Sequence, residues 1–187
     1  VNRRTVVVVL PTALTLARLC AVPVTIWLIL EQSFAAAFWI FVAAGVTDAL
    51  DGALARWCDA RTVIGGYLDP IADKTLLVSV YIALAAIGRL PIWLAILVGF
   101  RDLLIVGGVL LSHTLGLAVT MAPLAISRLN TVAQIVLAGL VLAMAGLDLA
   151  IPGLSSMMVA VAAATTAISG AAYAVNWVRR LAGMEPS

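Results

Sequence analysis

Long apolar runs separated by short polar breaks set the pattern of this chain. Six runs reach the length of about 20 mostly apolar residues that a membrane-spanning helix needs. They cover roughly Thr12 to Leu30, Phe34 to Arg56, Asp69 to Ile87, Pro91 to Ser112, Ser127 to Ala145 and Leu154 to Val178. The runs are continuous rather than alternating over about ten residues, which predicts helices and not barrel strands. Glu31-Gln32-Ser33, Gly88-Arg89-Leu90-Pro91 and Leu147 to Gly153 supply the breaks, and a longer connection runs from His113 to Ile126. The expected fold is an all-α polytopic membrane protein with six transmembrane helices.

Composition supports lipid as the bulk solvent. The 187 residues are 64% hydrophobic and 11% charged, against about 25% charged in an ordinary soluble domain. No soluble stretch separates the runs, so residues 1–187 read as one membrane domain. The net charge of +2 is too small to argue for a nucleic-acid partner, and none is expected. Its distribution predicts orientation: with a cytoplasmic N-terminus, that side receives Arg3, Arg4, Arg56, Arg61, Lys74, Arg128, Arg179 and Arg180, and the other only Arg89. Both termini are therefore expected in the cytoplasm. Trp27, Trp39 and Trp93 mark one interface, and Trp57 and Trp177 the other. Asn2-Arg3-Arg4 before Val6 to Leu10 has the start of a signal peptide, but the apolar pattern continues through Pro11 without a cleavage site. Cys20 and Cys58 lack metal-ligand spacing and read as small buried hydrophobes, and His113 has no partner at ligand spacing.

Against this background Thr47 to Lys74 holds five of the nine carboxylates. Asp48, Asp51, Gly52, Ala55 and Arg56 stand at offsets 0, 3, 4, 7 and 8, one face of a helix. Gly65, Asp69 and Asp73 form a second stripe if the next helix extends back to Gly65, with Pro70 expected in its first turn. A short link from Trp57 to Ile64 lets the two acidic faces meet. Each ionised group at the bilayer centre costs about 2.5–3.5 kcal/mol on insertion scales, so cations must compensate. Hard divalent ions suit all-carboxylate ligands, and the absence of His and Cys favours Mg²⁺ or Mn²⁺ over zinc. An internal salt-bridge network and an acid-lined proton or cation pathway are the alternatives. Gly52 and Gly65-Gly66 leave room for a nucleobase or diphosphate, and Arg56 is placed to meet a phosphate.

The run Asp48-x-x-Asp51-Gly52-x-x-Ala55-Arg56, eight residues, Gly65-x-x-x-Asp69-x-x-x-Asp73 resembles the CDP-alcohol phosphotransferase motif at every defining position. The resemblance implies a metal-dependent enzyme that moves a phosphatidyl or similar group from a CDP-linked donor to an alcohol and releases CMP. It implies that Asp48, Asp51, Asp69 and Asp73 hold two divalent metals and that Asp73 is the general base. Gly52, Ala55, Arg56 and Gly65, with Asp48 and Asp69, would contact the CDP part. Pro11-Thr12-x-x-Thr15-x-x-Arg18 is similar to a family N-terminal pattern, with Thr12 in place of Asn. Arg18 then either contacts donor phosphates or snorkels to headgroups. Homodimerisation is a further family expectation.

The acceptor must be chosen elsewhere. Arg101-Asp102 is an intramembrane ionisable pair and a candidate acceptor site, or else a structural ion pair. Phosphatidylglycerophosphate synthases of this family carry two lysines where this chain has Arg128 and Asn130. Ser127-Arg128-Leu129-Asn130-Thr131-x-x-Gln134 is instead similar to the Ser-Lys-x-Asn-Thr-x-x-Gln of eukaryotic-type cardiolipin synthases. Thr165 to Ser169 and Tyr173 resemble the same branch. The branch implies CDP-diacylglycerol as donor and phosphatidylglycerol as acceptor, with Arg101, Arg128 and Asn130 binding the acceptor. Glycerol 3-phosphate is the alternative within the family, and inositol phosphate ranks below both. The expected site is a polar cavity open to the cytoplasm, in a bacterial inner membrane. The rival of another class, a divalent-cation or proton transporter, predicts acids spread through the membrane depth and repeated halves, which this sequence lacks.

Overall fold

The computed structural model describes residues 3–58, 63–114, 125–149 and 151–181, with side chains over 17–47, 74–108, 125–149 and 151–179. These residues form six helices: α1 (Arg3–Leu30), α2 (Phe34–Cys58), α3 (Val63–Ala86), α4 (Ile92–Thr114), α5 (Ala125–Gly146) and α6 (Leu154–Leu181). The all-α expectation and the helix order therefore hold. Two boundaries differ from the hydropathy pattern. Helix α1 begins nine residues before Thr12, and α3 begins at Val63 rather than Asp69. Pro70 is consequently inside α3 and not in its first turn. Its ring nitrogen has no hydrogen to offer the carbonyl four residues back, a loss that helix packing must offset.

The expectation of six transmembrane helices is overturned. Among the described residues, two helices are long and apolar enough to cross a bilayer, Ala125–Gly146 and Leu154–Arg179. The described apolar lengths of α1, α2 and α3 are Ala17–Leu30, Phe34–Thr47 and Lys74–Ala86, each 10–17 residues. Such lengths fall short of the roughly 20 residues that match the hydrocarbon thickness. Both helices leave most of their apolar windows unburied, unlike the core helix of a water-soluble protein. Only 39% of the apolar window of the first and 22% of that of the second is buried, and Leu129, Val132, Met157, Ile168 and Val175 are exposed. Apolar surface on this scale belongs against lipid or another chain.

The chain divides into two compact units, residues 1–89 with 138–150 and residues 90–137 with 151–187. In the first, α1 packs on both α3 and α2. Its core contains Val22, Ile29, Phe34, Phe41, Leu76, Leu77, Val80, Tyr81 and Leu84. In the second, α4 packs on α6, and Leu90, Leu94, Val98, Leu137 and Ala162 are buried.

Three helices end in one way. Ser33 N–H donates to the Leu28 carbonyl at 2.8 Å and Gln32 N–H to Ile29 at 3.0 Å, with Gln32 at φ 57°. Arg89 and Gly88 repeat this pairing on Leu84 and Ala85, with Gly88 at φ 74°. Leu149 N–H reaches Met144 past Asp148 at φ 52°. These left-handed terminal residues satisfy carbonyls that would otherwise be orphaned, and they explain why the polar breaks in the sequence stop the helices sharply.

Gly146 closes the first unit. A Cβ there would lie 2.6 Å from Ala35 Cα and 2.7 Å from the Phe34 carbonyl carbon, and backbone cannot yield as a side-chain tip can. At Gly139 the same atom would meet Phe41 Cε1 at an ordinary 3.8 Å. Gly146→Ala is expected to destabilise the protein by about 1–3 kcal/mol, the usual cost of overpacking, whereas Gly139→Ala should be close to neutral. Thermal unfolding of both variants in one detergent checks the contrast.

Candidate active site

Helix α3, by starting at Val63, carries Gly65, Asp69 and Asp73 on a single helix, as the motif requires. Helix α2 carries Asp48, Asp51, Gly52, Ala55 and Arg56 at the spacing of one face. The side chains of all eight lie outside the described residues, as do those of Trp57, Cys58 and His113. Among the described residues there is no cluster of three or more His, Cys, Asp or Glu that would hold a metal. What fits Mg²⁺ or Mn²⁺ is the donor set of the α2 and α3 stripes, which offers carboxylate oxygen and neither imidazole nor thiolate.

A second polar group lies among the described residues of the other unit. Arg101 on α4 is 3% exposed and Asp102 9%, and Arg101 Nη1 donates to Asp102 Oδ1 at 2.7 Å. Ser169 Oγ on α6 accepts from Arg101 Nη2 at 2.8 Å and from Nε at 3.2 Å. Nη2 also donates to Ser127 Oγ at the start of α5. The guanidinium carbon stands 5.9 Å from the Tyr173 ring centroid, and the Arg101 stem passes Gly170, where a Cβ would meet Cγ at 3.6 Å. Three helices thus hold one cation in fixed geometry. Arg101 and Asp102 thus form an ion pair within their own unit.

One turn along α5 the pattern continues with neutral groups. Asn130 is fully buried, and its Oδ1 accepts from Thr166 Oγ1 at 2.7 Å and from Thr165 Oγ1 at 3.0 Å. Gln134 Nε2 donates to Thr166 Oγ1 at 3.1 Å. Asn130 Nδ2 is buried with no hydrogen-bond partner. A buried donor left unmade costs about 1–3 kcal/mol, so its retention here needs a reason. Arg128, by contrast, is exposed.

The structure therefore brings together Arg101 and the stretch bearing Asn130, but leaves Arg128 on the surface. Arg18 is 5% exposed. Cys20 is exposed, contrary to its reading as a buried hydrophobe. Ser127, Gln134, Thr165, Thr166 and Ser169 had no assigned role. The signal for them was present: Thr165, Thr166, Ser169, Gly170 and Tyr173 are the polar, small and aromatic positions of one helical stripe on α6. An apolar recess of about 420 Å³ lies between α4 and α6, lined by Gly107, Gly108, Tyr173 and Trp177 among others, with no charged side chain among its described lining residues.

The model of CDP-alcohol phosphatidyltransferases matches residues 8–172. The chain belongs to that family. Over 150 residues it is 34% identical to "Cardiolipin synthase (CMP-forming)" of Rattus norvegicus, covering 72% of this chain and 50% of that protein. It is 35% identical over 150 residues to the chloroplastic "CDP-diacylglycerol--glycerol-3-phosphate 3-phosphatidyltransferase 1" of Oryza sativa, covering 71% and 46%. Over 100 residues it is 40% identical to "Probable phosphatidylglycerophosphate synthase" of Mycobacterium tuberculosis, covering 50% and 48%. The chain thus spans about half the length of these curated relatives. Relatives named for both acceptors match at similar identity, so family membership does not select the alcohol.

The polar group itself is testable. Asp102→Ala leaves Arg101 buried without its anion and is expected to cost about 3–5 kcal/mol, while Arg101→Met with Asp102→Leu should recover most of that loss. Thermal unfolding of the single and double variants reads the difference.

Proposed function

We propose that this chain is the catalytic domain, residues 1–187, of a cardiolipin synthase of the CDP-alcohol phosphatidyltransferase family. It transfers a phosphatidyl group from CDP-diacylglycerol to phosphatidylglycerol, giving cardiolipin and CMP. The observation that carries the reaction class is the complete acidic motif, in helical register on α2 and α3, within a family match that covers most of the chain. The acceptor hydroxyl oxygen attacks the phosphatidyl phosphorus, the bond from that phosphorus to CMP breaks, and the hydroxyl proton passes to Asp73. Asp48, Asp51, Asp69 and Asp73 are the residues that would hold two Mg²⁺ or Mn²⁺ ions. When bound, these ions supply charge stabilisation for the phosphoryl oxygens and the departing CMP. Gly52, Ala55, Arg56 and Gly65 contact the CDP moiety, and Arg18 is a further donor contact.

Arg101, Arg128 and Asn130 are proposed to bind the acceptor. What favours phosphatidylglycerol over glycerol 3-phosphate is charge. Asn130 brings a neutral donor, and Arg101 is already paired with Asp102. A monoanionic phosphodiester suits such a site better than a phosphate near the dianion. The domain sits in the membrane through α5 and α6, multi-pass. The site and both termini face the cytoplasm, the side favoured by the Lys and Arg distribution. A bacterial inner membrane and a homodimer complete this reading on the resemblance alone.

CMP release by purified protein in lipid–detergent micelles tests it, with CDP-diacylglycerol, Mg²⁺ and either acceptor. Cardiolipin from phosphatidylglycerol is expected, with EDTA abolishing turnover. Asp73→Asn should lower kcat by about 10²–10⁴, the range for a lost general base. Turnover with glycerol 3-phosphate alone would leave the reaction class standing and sink the acceptor assignment. Metal uptake without CMP release from any acceptor would favour the transporter class.

A further inference from the structure

The unpartnered amide nitrogen of Asn130 has a cause behind it, two side chains away. Gln134 Nε2 donates to Thr166 Oγ1 at 3.1 Å and so occupies a lone pair of that hydroxyl. The single Thr166 proton is shared between Asn130 Oδ1 at 2.7 Å and the Ala162 carbonyl at 2.6 Å. Thr165 adds a second hydroxyl contact to the same oxygen at 3.0 Å. Asn130 Oδ1 is therefore committed to α6. The opposite end of the amide, Nδ2, has no partner although the residue is fully buried. An amide is nearly symmetric in shape, and only its hydrogen bonds decide which end faces which way.

We infer that Thr166, backed by Gln134, is a positioning residue that fixes Asn130 as a neutral hydrogen-bond donor toward the acceptor alcohol. The inference deepens the acceptor reading above and rests on it. Without the Thr166 hydroxyl the amide can turn over, and the end it then presents is an acceptor that repels phosphate oxygens. The ligand chemistry that matches Nδ2 is an oxygen lone pair, such as a non-bridging phosphodiester oxygen or a glycerol hydroxyl. Thr166 does not touch that ligand; it acts through Asn130. Ser169 has the parallel task for Arg101, since it holds both Nε and Nη2.

The test is a set of variants in the full chain: Thr166→Val, Thr166→Ser, Gln134→Met, Asn130→Ala and the double Asn130→Ala/Thr166→Val. Steady-state KM values for acceptor and for CDP-diacylglycerol are measured together with equilibrium binding of spin-labelled phosphatidylglycerol. Thr166→Val is expected to raise acceptor KM and weaken acceptor binding about tenfold, roughly 1.4 kcal/mol, with donor KM within twofold. Thr166→Ser, which keeps the hydroxyl, should restore both. The double variant should be no worse than Asn130→Ala alone, because Thr166 has nothing left to position. Multiplying effects in the double variant, equal shifts in donor and acceptor KM, or unchanged acceptor binding in both Thr166→Val and Gln134→Met each overturn the relay. Should Thr166→Val not fold, Gln134→Met carries the comparison. The parent reading fails separately, by absence of CMP release from phosphatidylglycerol, and the binding measurement still reads the relay in that case.

Discussion

A buried cation is the constraint on which the second unit depends. Arg101 is almost fully enclosed among α4, α5 and α6, where an uncompensated charge would cost several kcal/mol. Asp102 neutralises it, and Ser127, Ser169 and the Tyr173 ring are its further partners. These partners come from three helices, Asp102 from α4 itself, Ser127 from α5, and Ser169 and Tyr173 from α6. The register of α6 against α4 is set by Ser169 and Gly170, and the start of α5 by Ser127. Hydrocarbon packing alone slides easily between apolar helices, because lipid and leucine are equivalent solvents. A buried guanidinium with four specific partners does not slide. On this argument the polar group fixes a unique arrangement, and whatever chemistry it supports inherits that rigidity.

The fold was legible where the sequence obeyed hydropathy and punctuation. Gln32, Gly88 and Asp148 stop helices because left-handed residues close their last turns, and the polar breaks around them were the visible sign. What hydropathy could not give was the number of spans. A hydropathy count takes in every apolar letter, whereas among the described residues two helices meet the length and composition of a span. The described apolar lengths of α1, α2 and α3 are too short for this, and α5 and α6 are long enough. The start of α3 was misplaced for a related reason. Pro70 was taken as a mark of a helix beginning, but a proline inside a helix looks identical in sequence.

The site divides in the same manner. The acidic stripes follow from spacing alone, since offsets of three and four define a helix face whatever surrounds it. Arg101 and Asp102 were conspicuous because charge is rare in such a chain. Thr165, Thr166 and Ser169 were not, because serine and threonine are common in lipid-embedded helices and often bond only to their own backbone. Thr165 and Thr166 do this as well, at 2.9 Å to Val161 and 2.6 Å to Ala162. Only the facing helix shows that the same hydroxyls also bind Asn130. Partner identity across helices is tertiary information, and one sequence does not contain it in readable form.

Charge accounting is what supports the proposed acceptor. Arg101 and Asp102 together contribute no net charge to the buried part of the unit, and Asn130, Gln134 and the hydroxyls contribute none. Arg128 is exposed, where water and salt weaken its pull on a phosphate. A site of this kind pays poorly for a doubly charged phosphate, whose desolvation grows steeply with charge and which demands two fixed cations in return. A singly charged phosphodiester loses less on leaving the headgroup layer and needs oriented neutral donors as much as charge. Asn130 Nδ2 is such a donor, buried beforehand and so already desolvated. Preorganised dipoles need no reorganisation when the substrate arrives. On the proposed reading, the feature that would be a defect in an inert core, a donor with nothing to bind, is what distinguishes a diester from a monoester.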